Sequence, residues 1–140
     1  MLGRKSYPAA QITACRTEMA DMADMAATWR AVARHSEAKA REEAEVQVFN
    51  QMVVALEGWF VHRLHGVEGK NGNPMNEVRL LALGVTANGS YFPSDHSIQW
   101  WPEASLTGYR AGERIRLSEA VFSRLAQAYL DAVSVGFAET

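Results

Sequence analysis

An apolar stripe between residues 46 and 67 constrains this chain more than any other feature. Val46, Phe49, Val53, Leu56, Phe60, Leu64 and Val67 step by three and four. At about 100° per residue, all seven fall within about 40° of Phe60, on one face of an α-helix. Met52 and Trp59 widen one flank and Val54 and Val61 the other. So broad a sector predicts a helix over 37–67 that touches more than one neighbour. Ser36 is its expected N-cap, with Glu37 in the first turn.

Three further helices surround it. Met22, Met25 or Ala26, Trp29, Val32 and Ala33 recur at helical spacing and predict a first helix from about Met19 to His35. After Gly66-Val-Glu-Gly69-Lys-Asn-Gly72, the pair Asn73-Pro74 starts another. Asn caps, Pro takes the first helical position, and Glu77 lies in the first turn. Val78, Leu81 and Val85 form its inner face, and Asn88-Gly89 ends it. The last helix begins at Ser118 and carries Phe122, Leu125, Tyr129, Val133 and Phe137 inward. Between these, residues 90–117 lose the helical period. Ile98-Gln-Trp100-Trp101, Leu106-Thr-Gly-Tyr109 and Ile115-Arg-Leu117 read as short strands or extended loop around Pro93 and Pro102. The expected fold class is mainly α, a four-helix bundle-like domain with a short irregular or β insertion before the last helix. Residues 1–16 show no period and are expected to fray, leaving 17–140 as one helical domain. Met1, Met19, Met22 and Met25 are all candidate translation starts.

The totals narrow the function classes. A length of 140 residues, 48% hydrophobic and 21% charged, suits one globular core without staples. A net charge of −2 gives nucleic-acid binding no support. Cys15 is the one cysteine, so no internal disulfide forms, and a cytoplasmic location is expected. No apolar run approaches the ~20 residues of a membrane span.

Several residue sets carry possible chemistry. His62 and His65 stand three apart on the long helix, with Glu68 three further, so two imidazoles could share a metal. The same wheel points both away from the apolar stripe, toward solvent or a partner chain, and no metal or cofactor is expected. Arg30 and His35 have the Arg-x4-His spacing and resemble the signature of HEPN ribonucleases, which are small helical bundles. In those, the Arg and His polarise the phosphate and assist cleavage. The bland alternative is that Arg30, Arg34 and His35 complement the negative end of the first helix. Ser94-Asp95-His96-Ser97 holds three triad residue types, but adjacent residues do not converge as a triad must. Cys15 has no neighbouring histidine to activate it.

The densest polar block is Glu68 to Arg79. Together with Glu57 and Arg63 it places Glu57, Arg63, Glu68, Asn73, Asn76, Glu77 and Arg79 around one helix junction. Half-buried acids there must find partners, so the expectation is a structural ion-pair cluster, with a small polar pocket as the alternative. The run Leu56-Glu-Gly-Trp-Phe-Val-His-Arg63 and the block ending at Arg79 resemble a family of small uncharacterised bacterial helical proteins. The resemblance implies a helical fold and no particular activity.

Trp100 and Trp101 are adjacent, so an extended chain sends one inward and one outward. With Trp59, His62 and His65 they form a candidate interface. The reading of the sequence is a non-enzymatic helical protein that self-associates as a homodimer. The ribonuclease (Arg30, His35) and the metal-binding bundle (His62, His65) stand as alternatives, and whether a small-molecule ligand binds is unknown from the sequence.

Overall fold

The structure, a computed structural model, describes residues 3–35 and 37–139. It is mainly helical, with α1 at Ala9–Val32, α2 at Ala38–Gly58, α3 at His65–Glu68, α4 at Pro74–Ala87 and α5 at Glu119–Phe137. Short 3-10 turns follow α1 at Ala33–His35 and precede Ser105 at Pro102–Ala104. The Ser36 cap falls outside the described residues. Helix α2 is central and packs on α1, α4 and α5, while α5 also meets α1 and α4. Its inner face is Val46, Phe49, Met52, Val53, Leu56 and then Phe60 just beyond it, all buried.

The long helix does not run to 67. It stops at Gly58, and the chain turns through 59–63, with the Phe60 N–H on the Glu57 carbonyl and the Arg63 N–H on the Phe60 carbonyl. The turn sends Arg63 into the interior, where a continuous helix would have left it on a flank. Val67, expected on the stripe, is exposed on the four-residue α3.

The fraying expected over residues 1–16 is not what the chain does from Gly3 onward. The Tyr7 N–H donates to the Phe137 carbonyl at 2.6 Å, and the Tyr7 carbonyl accepts from the Glu139 N–H at 3.0 Å. Arg4 likewise pairs with the His62 carbonyl and the Leu64 N–H, both at 2.7 Å. Helix α1 starts at Ala9 and buries Ile12, Cys15 and Met19. The sequence signal was hidden because the alanine-rich first turns have few large side chains to show a period. Gly3 permits this docking, since a Cβ there would lie 2.6 Å from Leu64 Cα.

The apolar face assigned to the first helix is also displaced. The buried residues of α1 are Ile12, Cys15, Met19 and Ala26, whereas Met25, Trp29 and Val32 are exposed.

Helix α4 follows its sequence signals. The Asn73 side chain accepts from the N–H groups of Met75 and Asn76, and Pro74 opens the first turn. Helix α5 is capped by Ser118, which accepts from the Val121 N–H. Its buried face includes Phe122, Leu125, Tyr129, Val133 and Phe137.

Residues 88–118 cover the core without forming a strand among the described residues. An isolated antiparallel bridge joins Tyr91 to Arg114. Phe92, Ile98, Ile115 and Leu117 anchor the segment in the core. Buried Asn50 on α2 pins it by donating to the Ile115 carbonyl at 3.0 Å and accepting from the Leu117 N–H at 3.2 Å.

Candidate functional site

The turn after α2 and the start of α4 bring Glu57, Arg63, Glu68, Asn73, Asn76 and Arg79 together. Arg63 is the centre and is 1% exposed. Its Nη1 lies 3.0 Å from both Glu57 carboxylate oxygens and 3.0 Å from the Phe60 carbonyl. Nη2 donates to the Met75 carbonyl at 3.1 Å. Nε sits 2.5 Å from Glu68 Oε1 without its N–H in line, so that contact is an ion pair and not a hydrogen bond. Glu68 also takes a bidentate grip from Arg79, with Nη2 at 2.5 Å and Nε at 3.1 Å. Asn76 donates to the same carboxylate at 2.7 Å, and Asn73 Nδ2 donates to the Glu68 carbonyl at 2.8 Å. Two acids and two guanidinium groups thus alternate, Glu57–Arg63–Glu68–Arg79, and Arg79 carries the chain to the surface with its side chain 21% exposed.

The electrostatics follow from this arrangement. Burial pushes the Glu57 carboxyl above its ordinary value, against the pull of Arg63 and Arg79. Burial also pushes Glu68 upward, but the Arg79 hydrogen bond and the charges of Arg63 and Arg79 outweigh it and hold Glu68 below its ordinary value. Tyr129, which donates to Glu57 at 3.3 Å, is driven up by burial and by that carboxylate. A carboxylate clamped by two guanidinium groups is a poor base, and a guanidinium between two carboxylates is a poor anion receptor. The set is suited to holding α2, α3 and α4 in register.

Glu77 separates from the cluster. It is buried and accepts from the N–H groups of Leu106 and Thr107 at 3.0 and 2.8 Å and from the Thr107 hydroxyl at 2.6 Å. It therefore fastens the 88–118 segment to α4 and takes no part in the ion pairs.

The other candidates are not brought together. His62 lies in the turn after α2 and His65 opens α3, both exposed, so they do not share a helix face. Glu68 is committed to Arg63 and Arg79, and no metal-holding group of three His, Cys, Asp or Glu occurs among the described residues. Arg30 bridges Glu45 on α2 and Glu119 at the start of α5, the latter at 2.7 Å. His35 accepts from Arg34 Nε at 3.2 Å in the exposed 3-10 turn. Asp95 caps a local turn by accepting from the Ser97 N–H and hydroxyl. Cys15 is fully buried, and burial pushes its thiol up to about 12, which leaves it inert. Trp59 is half-buried against the core. Trp100 is also committed inward, donating to the Tyr109 carbonyl at 2.8 Å and lying 5.0 Å from the Phe92 ring. Trp101 is the outward one of the pair, 61% exposed.

A second feature was not foreseen as a site. Met22, Met25, Ala26 and Trp29 of α1 face Gln47, Val48, Gln51 and Met52 of α2 across an open groove of about 530 Å³. Met25 is 70% exposed and Val32, one turn beyond Trp29, is 78% exposed. The signal was present as the methionine spacing, but it reads equally as an inner face until the partners of α1 are known. No family model, no curated protein and no solved structure matches this chain. No helix among the described residues is long and apolar enough to cross a membrane.

Proposed function

We propose that this chain is a non-enzymatic helical protein that acts by self-association as a homodimer in the cytoplasm. Its four long helices serve as a bundle-like body and residues 88–118 as a covering insertion. The observation that carries this reading is the apolar groove between α1 and α2, where Met25, Trp29 and Val48 are left in water. Contiguous apolar surface of this kind usually marks a contact surface, whereas single exposed hydrophobes carry no such meaning. The polar residues support the same reading, because Glu57, Arg63, Glu68 and Arg79 are consumed by one another. Two-fold dimers are the commonest soluble oligomers. Light scattering across a dilution series tests the proposal. A mass twice that of the 15.5 kDa chain is expected. A monomer at every concentration, or RNA cleavage abolished by His35→Ala, overturns it.

A further inference from the structure

Three properties of the α1–α2 face define what fits it. The first is spacing. Glu18, Met22, Met25, Trp29 and Val32 step by four, three, four and three along α1. This is the alternation of a helix seam that packs knobs into the holes of a facing helix. The core uses little of it: α1 buries Ile12, Cys15, Met19 and Ala26, and of the seam only Met22 packs partly against the core.

The second is charge. Between residues 17 and 29 α1 carries Glu18, Asp21 and Asp24 and no basic residue. The opposite end of the face, where α1 turns into α2, carries Arg34, Lys39 and Arg41 against Glu37. Glu42 and Glu43 near that end share Arg116, and Glu45 is paired with Arg30, which leaves the end weakly basic. The surface is therefore acidic at one end, apolar in the middle and basic at the other. Such a surface is complementary to itself when turned end over end, and repels itself when laid parallel.

The third is area. With a two-fold axis between Met25 and Ala26, the overlapping part of α1 is residues 18–33, about 24 Å long, and two helices side by side are about 20 Å wide. That footprint, about 480 Å² per partner, is at the low end of specific interfaces and suits a weak, concentration-dependent dimer.

We infer that the groove is filled by a second copy of this chain, with the two α1 helices antiparallel about a two-fold axis between Met25 and Ala26. The inference rests on the self-association reading and specifies its surface and direction. The register sets Met22 of each copy opposite Trp29 of the other, a favourable sulfur–aromatic pairing. Met25 meets Ala26 at the axis. Glu18 falls beside the basic end of the other copy, within one turn of Arg34. Methionines suit this seam because their flexible side chains adapt to a groove that is polar on one wall at Gln47 and Gln51.

The test compares the mass and dimer dissociation constant of the wild-type chain with those of three variants, with helix content followed by circular dichroism. Met25→Asp, at an exposed position on the axis, sets two carboxylates together and is expected to weaken the dimer at least a hundredfold with helicity retained. Glu18→Arg is expected to weaken it roughly tenfold, and Glu18→Arg combined with Arg34→Glu to recover most of that loss. A wild-type monomer overturns both the self-association reading and this surface. A wild-type dimer that survives Met25→Asp unchanged keeps self-association and overturns the surface. A dimer lost in Met25→Asp but not recovered by the charge exchange overturns the antiparallel direction. Should Met25→Asp lose helicity, Glu18→Arg and the exchange decide the question alone.

Discussion

At the junction of α2 and α4, four charged side chains are taken largely out of water, while on the outer face of α1 and α2 methionine, tryptophan and valine are left in it. Each region runs against the simplest rule of burial, and the reasons differ. Removing a charge from water costs several kcal/mol per ion even after relaxation, so a buried set survives only when every member is paired. Arg63 meets that condition through Glu57, Glu68 and two backbone carbonyls. The cluster's two acids and two guanidinium groups balance in charge. Its product is geometry, because the turn that ends α2 is the conformation that delivers Arg63 to its partners. The outer face makes no such closed set. Among the described residues nothing covers Met25 or Val32, and a polar residue at either position would cost the fold little. One region is closed within the chain and the other is open to water.

Removing the centre of the complete region should have the largest effect. Arg63→Ala strands Glu57 and Glu68 in the interior, and the loss of stability should reach about 3–5 kcal/mol. Phe60→Ala, three residues earlier and fully buried, should cost about 3–5 kcal/mol by cavity formation. Urea unfolding monitored by circular dichroism measures both. If Arg63→Ala costs under about 1 kcal/mol while Phe60→Ala is severe, the ion pairs are incidental to the turn.

Acid should act on the same cluster more gently and in two directions. The folded pKa of Glu68 lies below its ordinary 4.5, so its contribution is fully present above that value and is lost as pH falls through the folded pKa. Glu57 is shifted the other way, so its protonation on acidification favours the folded state. The stability gap between wild type and Glu68→Gln should therefore narrow as pH drops below about 4.5, whereas the gap for Glu57→Gln should move in the wild type's favour. Parallel profiles for the two variants would mean that the two carboxyls share one environment.

How far these regions were legible beforehand follows from the kind of signal each leaves. Asn73-Pro74 and Ser118 act through their immediate neighbours, so local sequence was enough to place α4 and α5. Membership of the polar cluster was legible because acids beside an apolar stripe must be partnered. Its geometry was not, because the periodicity ran smoothly past Gly58 and gave no sign that the chain turns to bury Arg63. Glu77 was assigned to that cluster because it lies in the polar block from Glu68 to Arg79, but its partners Leu106 and Thr107 come from a segment with no periodic signal. Asn50 went unnoticed for the same reason, since its partners lie 65 and 67 residues away. On α1, helical spacing marked an apolar stripe but could not say which side of the helix the core takes, and the buried side is Ile12, Cys15, Met19 and Ala26.

Asn73 offers a smaller and sharper test. Asn73→Ala should cost about 1 kcal/mol through loss of the cap. Asn73→Ser keeps an oxygen for the Met75 and Asn76 N–H groups but loses the Nδ2 bond to the Glu68 carbonyl. Serine should therefore fall between asparagine and alanine. A serine variant as stable as wild type would show that the cap acts alone, and one as weak as alanine would show that the link to Glu68 carries the effect.

The smallest expected change separates an uncovered surface from a merely exposed residue. Val135 on α5 is 92% exposed and Val32 on α1 is 78% exposed, so by burial alone the two are equivalent. Neither makes a buried contact whose loss would register. Val32→Ser and Val135→Ser should each change the stability of dilute protein by no more than about 0.5 kcal/mol. They should differ in one respect. Anything that binds only the folded chain, including a second folded copy, makes the melting temperature rise with concentration. Val32 continues the stripe of Met22, Met25 and Trp29, so Val32→Ser should flatten that rise, whereas Val135→Ser should leave its slope untouched. Equal slopes in both variants and the wild type would place Val32 in the same class as Val135, an exposed side chain with no partner, and would shorten the contact stripe of α1 to end at Trp29.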